Sequence, residues 1–172
     1  MTAIIIALPE EAEGIKNYPV YLSGCGKVNA TIATMEALAS GVKKIINFGT
    51  AGAVSNISGL VEATGYVDRD MDARPLGFKL GQTPFQNDIQ IGVNGLIVGS
   101  GDTFATSAPE IKCDVVDMEA YAIAKICKKY NVEFRCFKYI SDKADDNAAF
   151  DWRENVRKGN TLFKNLLDEI DV

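Results

Sequence analysis

Along this chain, short apolar runs alternate with stretches of helical spacing, and most runs end in a glycine or an acid. Thr2–Leu8 is β-branched and continuous, which predicts a central strand buried on both faces. Tyr18–Ser23 predicts a second short strand, ending in Ser23-Gly24-Cys25-Gly26-Lys27. Val28–Ser40 has a helical rhythm, with Ile32, Met35 and Ala39 in step and Ala30, Ala33 and Ala37 between; Gly41 supplies its stop. Lys44–Phe48 predicts another buried strand running into a glycine-bearing turn, Gly49-Thr50-Ala51-Gly52. Leu60–Asp68 predicts a strand that Gly65 weakens, and Arg69–Asp88, rich in Gly, Pro and Asp without a period, predicts a long functional or interface loop. Gly95–Val98 is a short strand ahead of Gly99-Ser100-Gly101-Asp102. Val115–Val116 closes another strand, Met118–Tyr130 is helical, Phe134–Ile140 is a strand ending in Ser141-Asp142, and Phe150–Ile170 is a last helix interrupted near Gly159.

The repeated strand-then-helix order predicts an α/β fold: three layers, α/β/α, around a central mixed, mainly parallel sheet, with residues 1–172 as one domain. In such sheets ligands bind at the carboxyl ends of the strands. Glu11, Gly26, Thr50, Asp102, Glu119 and Asp142 all fall at predicted strand ends.

Composition narrows the chemistry. The net charge of −5 argues against a nonspecific nucleic-acid or membrane surface. Ala3–Leu8 is too short to span a bilayer and lacks a basic flank, so the expected location is the cytoplasm. Cys25, Cys113, Cys127 and Cys136 form no CxxC pair, and buried reduced thiols are expected. The chain contains no histidine. That removes a Ser-His-Asp triad and His-ligated zinc; no metal and no cofactor are expected, and acid–base work near neutral pH falls to carboxylates first.

Each candidate motif also has an ordinary structural reading. The glycines of Ser23–Asn29 let a backbone approach a ligand, or simply turn a strand into a helix; neither the dinucleotide fingerprint nor a P-loop continues from them. Thr50 can bond a ligand or cap a turn. Phe104, after Gly101-Asp102-Thr103, can offer a ring face to a base or pack in the core. Asp117 and Glu119 open a helix, where the dipole favours acids; Glu119 in a strand-end pocket could instead accept two hydroxyl bonds from a vicinal diol. Asp142 could be a general acid if burial raises its pKa, or a cap. One glutamate of Pro9-Glu10-Glu11-Ala12-Glu13 could act as base toward water, or the run could be an acidic helix start.

Taken in order, ALPEEAE, SGCGKVNATIAT, INFGTAGA, SGDTF, VVDMEAYAIAKIC and FKYISDKAD resemble the nucleoside phosphorylase and nucleosidase superfamily. They are most similar to its 5′-methylthioadenosine/S-adenosylhomocysteine nucleosidases. The resemblance implies hydrolysis of the N-glycosidic bond of a small-molecule adenine nucleoside. It implies that Asp142 protonates the leaving base at N7, Glu119 grips the ribose hydroxyls, and Glu11 positions or deprotonates water. Phe104 would stack on the purine, the Ala105 backbone would bond its edge, Met118 would pack on the ribose, and Thr50 and Ser141 would complete the pocket. Lys138 stands where these nucleosidases generally have Arg, a residue that steadies the ribose-binding Glu; Lys keeps the charge without the bidentate fork.

The run from Met1 to Asp68 contains no Arg, and Lys27 is the single cation of its loop, a thin phosphate site that favours water as nucleophile. A phosphate-dependent phosphorylase of the same fold and a non-catalytic nucleoside-binding protein are the alternatives. The chain is shorter than usual for the family, compressed between Glu11 and the SGCGK loop. The loop from Asp70 to Phe85 falls where the family builds its dimer contact, so a homodimer is expected. Among the three carboxylates Glu11 rests on the shortest motif, with Glu10 as its substitute.

Overall fold

The computed structural model describes residues 1–170; the last two residues of the expected domain, 171–172, lie outside it. In chain order the elements are β1 (Thr2–Ile6), β2 (Val20–Leu22), α1 (Lys27–Ala39), β3 (Lys44–Ala53), β4 (Leu60–Ala63), β5 (Gly65–Asp68), β6 (Gln90–Gly92), β7 (Ile97–Ser100), β8 (Val115–Asp117), α2 (Ala120–Tyr130), β9 (Glu133–Asp142), α3 (Ala148–Asn155) and α4 (Gly159–Glu169). Single 3-10 turns sit at Pro9–Glu11 and Arg74–Leu76.

The nine strands form one mixed sheet, ordered β2-β1-β3-β8-β7-β5-β6, with β9 on the other side of β3 and β4 beyond it. Five pairings are parallel and three antiparallel, as the fold-class expectation has it. β4 pairs with β9 and β5 with β7, and only Thr64 separates β4 from β5. One crossing strand therefore closes the ring β3-β8-β7-β5/β4-β9.

Strand alternation explains the three layers. Ala3 and Ile5 of β1 and Ile45 of β3 pack with Ala30, Ala33 and Ala37 of α1 and Ile123 and Cys127 of α2. Their neighbours Ile4, Ile6, Ile46 and Phe48 face the opposite way, onto Phe163 and Leu167 of α4. Phe48 and Phe163 stack with centroids 4.0 Å apart. Residues 3–6 of β1 and 45–46 of β3 are apolar at successive positions because both faces are covered.

Several boundaries differ from expectation, each for a physical reason. The segment Gly49–Ala53 is strand, not turn: β9 pairs along β3 as far as Gly52, and β8 takes the opposite edge at Gly52 and Ala53. The Leu60–Asp68 run is two strands, because it changes partners at Thr64. Strand β6 lies just past the long loop and was not expected; its three residues pair antiparallel with β5. The last helix is two, α3 and α4. On α1 Ala30, Ala33 and Ala37 are buried, while Ile32 and Met35 are 53% and 36% exposed and Ala39 is exposed too, so the small side chains of one face, not the large ones, make the close helix–sheet contact. Among the described residues no helix is long and apolar enough to cross a membrane.

Candidate active site

A cavity of about 470 Å³ opens at the carboxyl ends of β3, β8 and β9. Its wall carries four carboxylates, Glu11, Asp117, Glu119 and Asp142, together with Thr50, Phe104, Ala105, Met118 and Ser141. Every expected site residue except Lys138 therefore lines it.

Asp142 ends β9. Its Oδ2 accepts from the Ser141 hydroxyl at 2.7 Å and its Oδ1 from the Ala144 amide at 2.9 Å. Burial raises its pKa above the ordinary carboxylate value, against those two hydrogen bonds; Asp151 and Asp145 add to the rise. A Cβ on Gly52 would stand 2.5 Å from Asp142 Oδ1, so the neighbouring strand must be bare at that point.

Glu119 precedes α2 and is 7% exposed. Its Oε1 accepts from the Gly26 amide at 3.0 Å. Gly26 sits at φ +98, a conformation that glycine adopts readily and that turns its N–H toward the carboxylate. Burial and then the Asp117 charge push the Glu119 pKa up to about 7, with Lys138 and the Gly26 bond opposing. Gly26 of the SGCGK turn thus serves a carboxylate of the protein itself.

Glu11 closes the turn after β1 and is 3% exposed. Its Oε1 accepts from both the Thr50 amide and the Thr50 hydroxyl, each at 2.7 Å, and its Oε2 from the Leu8 amide at 3.3 Å. Burial raises its pKa, with the Thr50 bonds opposing. Thr50 lines the cavity, but its hydroxyl is occupied: it donates to Glu11 and accepts from Trp152 Nε1 at 3.0 Å.

Lys138 stands elsewhere than a substrate contact would. Its side chain is 1% exposed, behind the cavity wall, with Nζ 2.8 Å from Asp117 Oδ2. Asp117 also accepts from the Ser100 hydroxyl and, at 2.9 Å, from the Ala120 amide. The Asp117 and Glu119 charges raise the Lys138 pKa against the opposing effect of burial, so it stays an ammonium. Lys138 pairs with Asp117 and influences Glu119 through space.

Sequence reasoning did not select Trp152, Arg69 or Cys25 for the cavity. Trp152, the one tryptophan of the chain, follows the Asp142 loop on α3, and its ring meets Phe104 edge-on at 6.5 Å. Arg69 binds the Gly101 carbonyl at 3.5 Å, the Thr103 carbonyl and the Thr103 hydroxyl, bracing the loop that carries Phe104. Cys25 is exposed and lines the cavity, and Cys113 is half-buried, so only Cys127 and Cys136 are the buried thiols expected; all four are free. Lys27 Nζ lies 2.8 Å from Asp68, in contact with Asp70 and 3.8 Å from Asp102. Its charge is neutralised by this chain's own acids. Among the described residues no cluster of His, Cys, Asp or Glu could hold a metal ion.

The phosphorylase superfamily profile matches residues 15–109 and 97–170. A 5′-methylthioadenosine/S-adenosylhomocysteine nucleosidase of Buchnera aphidicola is 30% identical, over 82% of this chain and 75% of its own length. An aminodeoxyfutalosine nucleosidase of Helicobacter pylori is 28% identical, over 90% and 82%. The fold superposes on the Helicobacter pylori 5′-methylthioadenosine/S-adenosylhomocysteine nucleosidase, crystallised with a pyrrolopyrimidine-bearing pyrrolidinol, with a TM-score of 0.86, 26% identity and 98% of both chains covered.

Proposed function

The chain belongs to the phosphorylase superfamily, and on that premise we propose that it is a nucleosidase, hydrolysing the N-glycosidic bond of an adenine nucleoside such as 5′-methylthioadenosine or S-adenosylhomocysteine. The observation that carries this reading is the convergence of Asp142, Glu119 and Glu11 on one cavity.

Breaking this bond leaves electrons on the base and positive charge on the ribose ring. Asp142 supplies the proton that the base needs at N7; its raised pKa keeps that proton available nearer neutral pH. Glu119 accepts the ribose hydroxyls and offsets the ring charge. Glu11, oriented by Thr50, aligns water and takes its proton. Phe104 packs on the purine beside the Ala105 backbone, and Met118 under the ribose. Water is the nucleophile because Lys27, the cation of the early loop, is already held by three acids.

The same reading includes a homodimer. Leu76 and Phe85 of the long loop are 74% and 96% exposed, and Val28, Ile32 and Met35 form an exposed apolar stripe on α1. Light scattering at micromolar concentration should give twice the chain mass; a monomer refutes the dimer and leaves the chemistry untouched. The same reading includes a role in purine and methionine salvage and a cytoplasmic location. Incubation with both nucleosides, with and without phosphate, tests the function: free adenine should form in both conditions. No adenine from either nucleoside refutes it, and strict dependence on phosphate selects the phosphorylase.

A further inference from the structure

Glu11 is buried with no cation in direct contact, and its alignment depends on Thr50. A threonine hydroxyl has one hydrogen and can rotate it to any acceptor in reach. Here Trp152 Nε1, which can only donate, occupies a lone pair of Thr50 Oγ1 at 3.0 Å. The hydroxyl hydrogen is then directed to Glu11 Oε1, 2.7 Å away. Hydrogen bonds in such a chain strengthen one another.

We propose that Trp152 is a positioning residue for the hydrolytic water: through Thr50 it fixes Glu11 in place and favours its ionised form. This rests on the reading of Glu11 as the base toward water. The relay runs from α3 to the turn after β1, so it ties the segment beyond Asp142 to Glu11, which lines the same cavity. A second bond holds the same helix, from Asn155 Nδ2 to the Ser141 carbonyl at 2.8 Å. Thr50, the partner of Glu11, and the strand end that carries Asp142 are thereby both bonded to one short helix.

The other ionisable groups that act on Glu11 are Lys138 on β9, Glu119 ahead of α2 and Cys25 in the glycine turn. None of them is altered by replacing Trp152. A phenylalanine there keeps a ring against Phe104 and removes the N–H.

The test is the pH profile of kcat/KM for methylthioadenosine in the wild type, Trp152→Phe, Thr50→Val and the double variant. The sign follows from the bonds: donors to a carboxylate favour its charge, so losing them raises its pKa and moves the acid limb to higher pH. Trp152→Phe should move that limb up by a few tenths of a pH unit, roughly a two- to threefold loss on the acid side. Thr50→Val should move it by about one unit, roughly tenfold. In the Thr50→Val background, Trp152→Phe should add no further movement. An unmoved limb in Trp152→Phe, or an equal movement in both backgrounds, overturns the relay.

Carbon-13 NMR titration of the Glu11 carboxyl separates this from the functional reading. A Glu11 pKa that rises in Trp152→Phe supports the relay even if Glu11→Gln leaves the acid limb in place, the result that removes Glu11 as the base. An unchanged Glu11 pKa overturns the relay whatever the activity.

Discussion

Replacing Glu119 by Gln removes a titratable group from a buried position and keeps its shape. Glu119 has an ordinary pKa of 4.5 and is raised to about 7 in the folded chain, by burial first and by Asp117 second. The folded state therefore binds this proton more tightly than the unfolded state. Stability from the group is fully present below pH 4.5 and is lost as pH rises toward about 7. A difference of about 2.5 units at 1.36 kcal/mol each gives roughly 3 kcal/mol lost across that window. Gln can accept the Gly26 amide as Glu does and carries no charge at any pH. Urea unfolding of both proteins from pH 4.5 to 8 measures the difference directly. Near pH 4.5 the two should be close. By pH 8 the variant should be more stable by about 3 kcal/mol, while adenine release falls because the ribose loses its carboxylate. Asp142 titrates in both proteins and cancels in the difference, whereas Glu11 is freed in the variant from the repulsion of the Glu119 charge, which acts in the same direction. A stability difference that is flat in pH, or that grows toward acid, refutes the reasoning.

Lys138→Met leaves Asp117 charged and buried without its ammonium, which should cost about 3–5 kcal/mol in urea unfolding; adding Asp117→Asn should recover part of that loss. Gly52→Ala places a methyl 2.5 Å from Asp142 Oδ1 and 3.1 Å from the Ala144 side chain, so Asp142 must move; kcat should fall on the order of a hundredfold while circular dichroism stays close to wild type. Asp142→Asn keeps the acceptor for the Ala144 amide and loses the acid, so adenine release should stop with folding intact, as chromatography of the products and a thermal melt will show. Lys27→Met removes a cation held by three carboxylates; if that cation binds no phosphate, added phosphate should leave the rate of adenine formation unchanged in both the wild type and the variant.

Much of the site was legible because its carboxylates follow apolar runs. Asp142 comes two residues after Phe134–Ile140, and Glu119 three after Val115–Val116; a run of that kind in an α/β chain is a buried strand whose end is a ligand position. What stayed hidden depends on contacts between distant segments. Gly49–Ala53 has the composition of a turn, and only the pairing of β3 with both β8 and β9 makes it strand. The role of Lys138 could not be read from its spacing: it lies within β9, and only the fold sets its ammonium on Asp117. Trp152 is separated from Thr50 by 102 positions in sequence, and their bond appears only once α3 folds over the cavity. Ile32 and Met35 misled for a simpler reason, since a helix that packs through alanine leaves its larger apolar residues outside.

The four carboxylates and the single buried ammonium of this site pose a charge problem whose solution is the chemistry. Asp117 takes the ammonium and two further donors. Glu11, Glu119 and Asp142 have hydrogen bonds but no direct cation, and burial raises the pKa of all three. Each is supported differently. Glu11 has three donors, which work against the effect of burial and favour the ionised state that the proposed base needs. Glu119 has one, and sits at about 7, where it can be charged when a cationic ribose ring lies beside it. Asp142 has two, with two further acids nearby working against its charge, which favours the protonated form a leaving base requires. On the proposed reading, a chain without histidine sets an acid and a base in one cavity by varying only burial, neighbouring charge and the number of donors.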